Sequence, residues 1–264
     1  MKQRVLTAAV AGSIFLLFVF WGGLPFFFLI YFMAAIAFEE ILRMKKIPAL
    51  SPAAVIGMIL LFLYLVPPEY AEAYLHIDDS VRWSLIGFGA LILLSVPVFT
   101  NNRFSFDEAG VVSLAVLYLG FGFSHMIAVR LSGMLHFFFP LFLVWATDSG
   151  AYFTGRAIGK RKLAPKISPN KTVEGFFGGI AGGLLVSILF SLTTGIGETF
   201  HLPELLFLSI LLSVFGQLGD LAESALKRHY GVKDSGKLLP GHGGILDRVD
   251  SWLFVMPLFD FFLS

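Results

Sequence analysis

Long apolar runs separated by short polar or Pro/Gly breaks dominate this chain. They lie at 5–21, 25–42, 52–66, 83–99, 111–129, 134–154, 175–195, 204–224 and 249–263. Most approach the roughly 20 residues that a helix needs to cross about 30 Å of hydrocarbon, and several are short or carry polar residues. The pattern predicts an all-α fold, a polytopic integral membrane bundle of about nine transmembrane helices. The first run follows Met1-Lys2-Gln3-Arg4, as in a secretory leader. However, Trp21-Gly22-Gly23-Leu24-Pro25 has no small-x-small cleavage pattern and a second apolar run begins at once, so a first membrane helix is expected.

Composition agrees with the pattern. Of 264 residues, 57% are hydrophobic, 30 are Phe and only 14% are charged, with a mean hydropathy of +0.83. Soluble domains carry roughly 25% charged residues, so the soluble class is excluded. The absence of Cys removes disulfides, thiolate metal sites and cysteine nucleophiles, and any metal must be held by oxygen or imidazole.

The net charge of +1 conceals an uneven distribution. If the loops are assigned alternately to two sides with the N-terminus inside, all but Arg82 and Arg130 of the 19 basic residues fall on the inner side. Outer segments hold Glu69, Glu72, Asp78, Asp79, Glu198 and Glu204. By the positive-inside rule this predicts N-in, C-out topology in the cytoplasmic (inner) membrane.

Residues 1–140 read as a transmembrane scaffold with little chemistry. Polar chemistry collects within 141–264, in two blocks that the topology puts on the cytoplasmic side. In the first block, Asp148 sits near the cytoplasmic end of an apolar run, where a carboxylate needs a cation, a polar cavity or a partner. The loop that follows contains Arg156, Lys160, Arg161, Lys162, Lys166 and Lys171 beside Ser168 and Thr172, which suits a polyanion. Positive-inside charge near anionic lipid explains Lys160 to Lys162 but not the Ser168-Pro169-Asn170-Lys171-Thr172 grammar. The next run carries Gly175, Gly178, Gly179, Gly182 and Gly183, a small-xxx-small pattern that predicts a close helix crossing within the bundle or between subunits.

In the second block, Asp220, Glu223, Ser224 and Lys227 are spaced i, i+3, i+4, i+7 and form one polar helical stripe. A Gly/Pro-rich loop with Lys233, Asp234 and His242 leads to Asp247, Arg248 and Asp250 at the start of the last run. Mg²⁺ is commonly held by one or two carboxylates together with substrate phosphates. Asp220 and Asp247 suit that role, and the helix N-terminus at Asp247 offers N–H groups to an anion. Carboxylates, a metal and basic side chains at one membrane face point to phosphoryl or nucleotidyl transfer. The competing reading is a transporter with an intramembrane acidic relay, against which most of these charges lie in loops and helix ends.

The stretch Ser224-Ala225-Leu226-Lys227-Arg228, then Lys233-Asp234, then Leu239-Pro240-Gly241-His242-Gly243-Gly244-Ile245-Leu246-Asp247-Arg248-Val249-Asp250 resembles the signature of the phosphatidate cytidylyltransferases, or CDP-diacylglycerol synthases. The upstream Asp148-Ser149-Gly150-Ala151-Tyr152, Gly155-Arg156 and 168–175 segments are also similar to that family. The resemblance implies transfer of CMP from CTP to phosphatidate, giving CDP-diacylglycerol and pyrophosphate, with Mg²⁺ required and a second cation left open.

On this reading Asp220 and Asp247 are metal ligands, and Asp250 is a further ligand or a support. Lys171, Lys227, Arg228, Lys233 and Arg248 hold phosphates. Asp148 binds a second cation or orients a basic residue, and His242 orients a phosphate or moves a proton. Ser168, Thr172 and Asp234 complete the nucleotide-binding set. CTP, phosphatidate and membrane lipid are the expected partners, no nucleic acid is, and the glycine-rich run leaves a homodimer open. A CTP-dependent lipid kinase is the nearest enzymatic competitor.

Overall fold

The computed structural model describes residues 2–263. The side chains of Lys2 and Arg4, counted above among the inner charges, lie outside the described residues. All nine apolar runs fall on helices. In chain order these are α1 (Lys2–Trp21), α2 (Gly23–Lys45), α3 (Pro52–Leu65), α4 (Pro68–Leu75), α5 (Asp79–Phe99), α6 (Phe106–Ser132), α7 (Met134–Ile158), α8 (Val173–Thr193), α9 (Leu202–His229) and α10 (Leu246–Leu263). Between α7 and α8 a hairpin pairs β1 (Lys162–Ala164) with β2 (Ser168–Thr172), and a 3₁₀ turn (Gly195–Glu198) precedes α9.

Helices α2, α5, α6, α8 and α9 are long and apolar enough to cross a membrane, and a sixth span results if the bent α3–α4 pair counts as one. This is a multi-pass membrane protein. The apolar part of α1, Leu6–Trp21, is shorter, and α10 carries Asp247, Arg248, Asp250 and Asp260 along its length. Two elements depart from the sequence reading. Helix α4 occupies part of the expected 67–82 outer loop, and the small hairpin interrupts an otherwise all-α chain.

The chain divides into two compact units, Met1–Ala128 with Asp234–Leu246, and Val129–Lys233 with Asp247–Ser264. In the first unit, α3 and α4 bend by 97° at Val66-Pro67-Pro68. A residue before proline avoids the helical region, and Val66 and Pro67 are accordingly extended, with ψ of 119° and 144°. The break leaves the Val66 carbonyl without a helical partner, and buried Arg82 of α5 donates to it while pairing with Asp79. Arg82, one of two exceptions to the charge asymmetry read from the sequence, thus has a structural use. Close packing extends through this unit: a Cβ on Gly57 would lie 2.6 Å from Val112, and one on Gly120 would lie 2.7 Å from Tyr64.

In the second unit, α7 and α8 cross at backbone contact. A Cβ on Gly150 would strike the Gly178 carbonyl, and one on Gly182 would strike the Ala146 carbonyl. The glycine face of α8 is therefore consumed within the chain, which decides between the two crossings left open by the sequence. Polar pairs reinforce the packing. Thr147 and Ser213 hydroxyls meet at 3.0 Å, Ser187 bonds Ser209, and buried Gln217 donates to the Phe176 carbonyl at 3.2 Å. Overpacking a tight core costs about 1–3 kcal/mol, and more where backbone blocks relaxation. Gly182→Leu is therefore expected to lower the unfolding temperature in detergent by several degrees or abolish monodisperse protein, as read by size exclusion and differential scanning fluorimetry.

Candidate active site

The polar stripe on α9 faces the start of α10. Gly219 makes this approach feasible, since a Cβ there would lie 2.7 Å from the Asp250 carbonyl. Ser224 Oγ donates to Asp220 Oδ1 at 3.3 Å, holding that carboxylate along the helix. One turn further on, Lys227 Nζ donates to Asp247 Oδ1 at 2.6 Å and also pairs with Glu223. The side chains of Glu223, Asp247 and Lys227 are 0%, 4% and 12% exposed. Burying an unpaired carboxylate is costly, and a single ammonium here serves two. The sequence reading placed Glu223 on the stripe without a role in the site; its i, i+4 relation to Lys227 is the signal that identifies it.

The hairpin brings the first block to the same place. Thr172 ends β2 and caps α8, its Oγ1 accepting from the Gly175 amide at 3.1 Å. Glu174 accepts from the Lys160 and Arg161 amides at 3.0 and 3.2 Å, which ties the hairpin's entry to the first turn of α8. So anchored, Lys171 extends its Nζ to within 2.6 Å of Asp220 Oδ2. Asp148 of α7 lies within electrostatic reach of Asp220, Lys171 and Arg248, and Asp250 within reach of Asp220, Asp148 and Lys227. Asp148, Asp220, Glu223, Asp247 and Asp250 are thus gathered with Lys171, Lys227 and Arg248.

Other expected residues sit differently. Arg228 donates to the Ile167 and Val232 carbonyls at 3.3 and 2.9 Å, securing the hairpin and the end of its own helix. Ser168 opens β2 and is half-buried, while Lys233 and Asp234 are exposed.

In the other unit, the loop carrying Asp234 and His242 turns tightly. Leu239 bonds Gly243, and Gly241 and Gly243 adopt φ of 79° and 84°, where a side chain is disfavoured. The His242 amide donates to the Leu239 carbonyl at 2.8 Å, and its Nδ1 is buried with no hydrogen-bond partner among the described residues. That loop also has a partner the sequence reading missed. Buried Glu40 of α2 accepts from Ser235 Oγ and from the Ile245 and Leu246 amides, each at 2.9 Å. At the expected anion site at the start of α10, the Ile245 and Leu246 amides are directed to a protein carboxylate.

Among the described residues no three His, Asp or Glu side chains converge as an all-protein metal cage. Mg²⁺ does not need one, since it keeps waters and shares phosphate ligands. The gathered α7–α10 cluster offers five carboxyl groups beside three basic side chains, and oxygen is the donor this ion prefers. The residues present fit Mg²⁺ bound jointly with substrate phosphates.

Comparison with known proteins follows the same line. A family model described as "Cytidylyltransferase family" matches residues 2–264. The chain is 48% identical over 267 residues to a phosphatidate cytidylyltransferase of Bacillus subtilis (strain 168), covering 100% of this chain and 98% of that protein. It is 44% identical to the protein of the same name from Staphylococcus saprophyticus, covering 100% of this chain and 99% of the relative. With a Staphylococcus aureus (strain COL) counterpart, also called phosphatidate cytidylyltransferase, the identity is 41% at 100% and 99% coverage. With the signature residues, the carboxylate-rich α9–α10 cluster and whole-length similarity in agreement, the chain belongs to the cytidylyltransferase family.

Proposed function

We propose that this protein transfers the CMP unit of CTP to phosphatidate, giving CDP-diacylglycerol and pyrophosphate. The observation that carries the reading is the α9–α10 cluster, where buried carboxylates and lysines meet beside a basic hairpin. The relatives' names agree with it.

The phosphatidate phosphate is itself the nucleophile, so no covalent enzyme intermediate is required. One of its oxygens attacks the α-phosphorus of CTP in line; the new P–O bond forms as the bond to the β-phosphate bridge breaks, and the electron pair leaves with pyrophosphate. Mg²⁺, held by Asp220 and Asp247, would neutralise charge on the α-phosphate and the departing pyrophosphate.

Lys171 and Lys227 exchange part of their carboxylate pairing for phosphate, and Arg248, Lys233 and Arg228 add positive charge for the triphosphate. Asp148 orients Lys171 and Arg248 or holds a second cation, and Asp250 supports the metal ligands. For His242 the family resemblance gives the role of orienting a phosphate or carrying a proton. Ser168, Thr172 and Asp234 complete the nucleotide contacts.

Topology belongs to the same reading. Nine spans with N-in, C-out orientation put both polar blocks at the cytoplasmic face of the inner membrane, where soluble CTP meets a membrane-bound lipid. Residues 1–140 serve as scaffold and 141–264 carry the chemistry. A homodimer is compatible with this reading through a face other than the α8 glycines, which α7 covers.

Purified protein in detergent with Mg²⁺ is expected to release pyrophosphate only when CTP and phosphatidate are both supplied. Absence of release under those conditions would remove the enzyme reading in favour of a transporter.

A further inference from the structure

Glu40 lies on α2, far from both polar blocks in sequence, and is 4% exposed. Its Oε2 accepts from Ser235 Oγ and the Leu246 amide, and its Oε1 accepts from the Ile245 amide, each at 2.9 Å. The contacts grip both ends of the 235–246 loop. Gly236 and Gly244 press against the same carboxylate, so that a Cβ on either would overlap Glu40 Oε1. A buried carboxylate persists when hydrogen bonds replace its water. Here two donors are amides at the start of a helix, where a negative charge also meets the favourable end of the dipole. Glu40 therefore acts as an N-terminal cap for α10 supplied by a distant helix.

We infer that Glu40 is a positioning residue for the reaction: its carboxylate closes the 235–246 loop and fixes the chain entering Asp247. It touches neither substrate in this role. It sets the turn that bears His242 and the backbone register immediately before the proposed metal ligand. The inference rests on the cytidylyltransferase reading, so one of its tests does not require turnover.

Glu40→Gln keeps the volume but turns an amide group toward donors that need an acceptor. Glu40→Asp keeps the carboxylate on a shorter arm. In hydrogen–deuterium exchange of the full-length protein in detergent, peptides covering 235–246 are expected to exchange at least about tenfold faster in Glu40→Gln than in wild type. Glu40→Asp is expected to fall between them. In turnover, Glu40→Gln is expected to lower kcat by about 30-fold or more with KM for CTP within threefold of wild type, and Glu40→Asp to recover part of the loss.

Equal exchange of the loop in wild type and Glu40→Gln overturns the proposal, as does kcat within twofold, or a change confined to KM. If Glu40→Gln does not yield folded protein, Ser235→Ala decides. It removes one donor to the carboxylate, so faster loop exchange with lower kcat supports the inference, and wild-type values for both overturn it. A wild-type protein that exchanges slowly at 235–246 but makes no CDP-diacylglycerol would locate the failure in the functional reading.

Discussion

Asp247→Asn is expected to reduce CDP-diacylglycerol formation by about a thousandfold while leaving a folded, monodisperse protein. Removing one preorganised electrostatic group from an active site commonly costs about 10²–10³ in rate, and loss of a metal ligand adds to that. The Asp247 side chain is 4% exposed and accepts from Lys227 at 2.6 Å. Asparagine preserves that shape and can still accept from Lys227 through its amide oxygen, so the fold has a reason to survive. What is lost is the charge that would hold a divalent cation against phosphate. Turnover measured beside size exclusion separates the two effects, and near-normal turnover would remove Asp247 from the metal-binding role.

Lys227→Met is expected to act on stability first. Lys227 faces Glu223 and Asp247, whose side chains are 0% and 4% exposed, and removing the ammonium leaves two buried acids with no shared counter-charge. Breaking a buried ion pair by deleting one partner costs about 3–5 kcal/mol, a large part of the stability of a typical domain. Thermal unfolding in detergent should shift down by many degrees, or the folded yield should collapse. Adding Glu223→Gln to Lys227→Met is expected to restore much of the stability, because the most deeply buried charge is then gone. It should not restore turnover, since the ammonium that would meet phosphate remains absent. Recovery of activity in the double variant would show that Lys227 serves only to neutralise Glu223.

The helices were legible because burial in lipid demands long apolar runs with few interruptions, and each run falls on a helix, five of them long and apolar enough to cross a membrane. Short elements were not. Helix α4 begins at Pro67-Pro68 and contains Glu69 and Glu72, so its composition reads as loop. The hairpin strands have three and five residues, with Pro165 and Pro169 between or within them and no alternation to reveal pairing. Within the site, Asp220, Glu223, Ser224 and Lys227 were readable together because a helix repeats every 3.6 residues. The meeting of Lys227 with Asp247 depends on how the intervening loop returns, which no local periodicity encodes.

Glu39 and Glu40 illustrate the same limit. Both are adjacent acids at the end of an apolar helix. Glu39 forms a local pair with Arg43 at 2.7 Å, whereas Glu40 is buried against a loop about 200 residues further along the chain. Only the rotation of α2 about its axis separates their fates. The glycines of α8 were recognised as a crossing surface, yet the partner was decided by Ala146, Gly150 and Thr154, small residues on a helix otherwise rich in Phe.

Nucleotidyl transfer and phosphoryl transfer differ in where the α-phosphate of CTP goes. Purified protein incubated with Mg²⁺, phosphatidate and CTP labelled at the α-phosphate is expected to place the label in the chloroform-extractable lipid as CDP-diacylglycerol, while label at the γ-phosphate appears in pyrophosphate. Label from the γ-phosphate in the lipid, with α-label remaining in soluble CDP, would identify a kinase and contradict nucleotidyl transfer at this site.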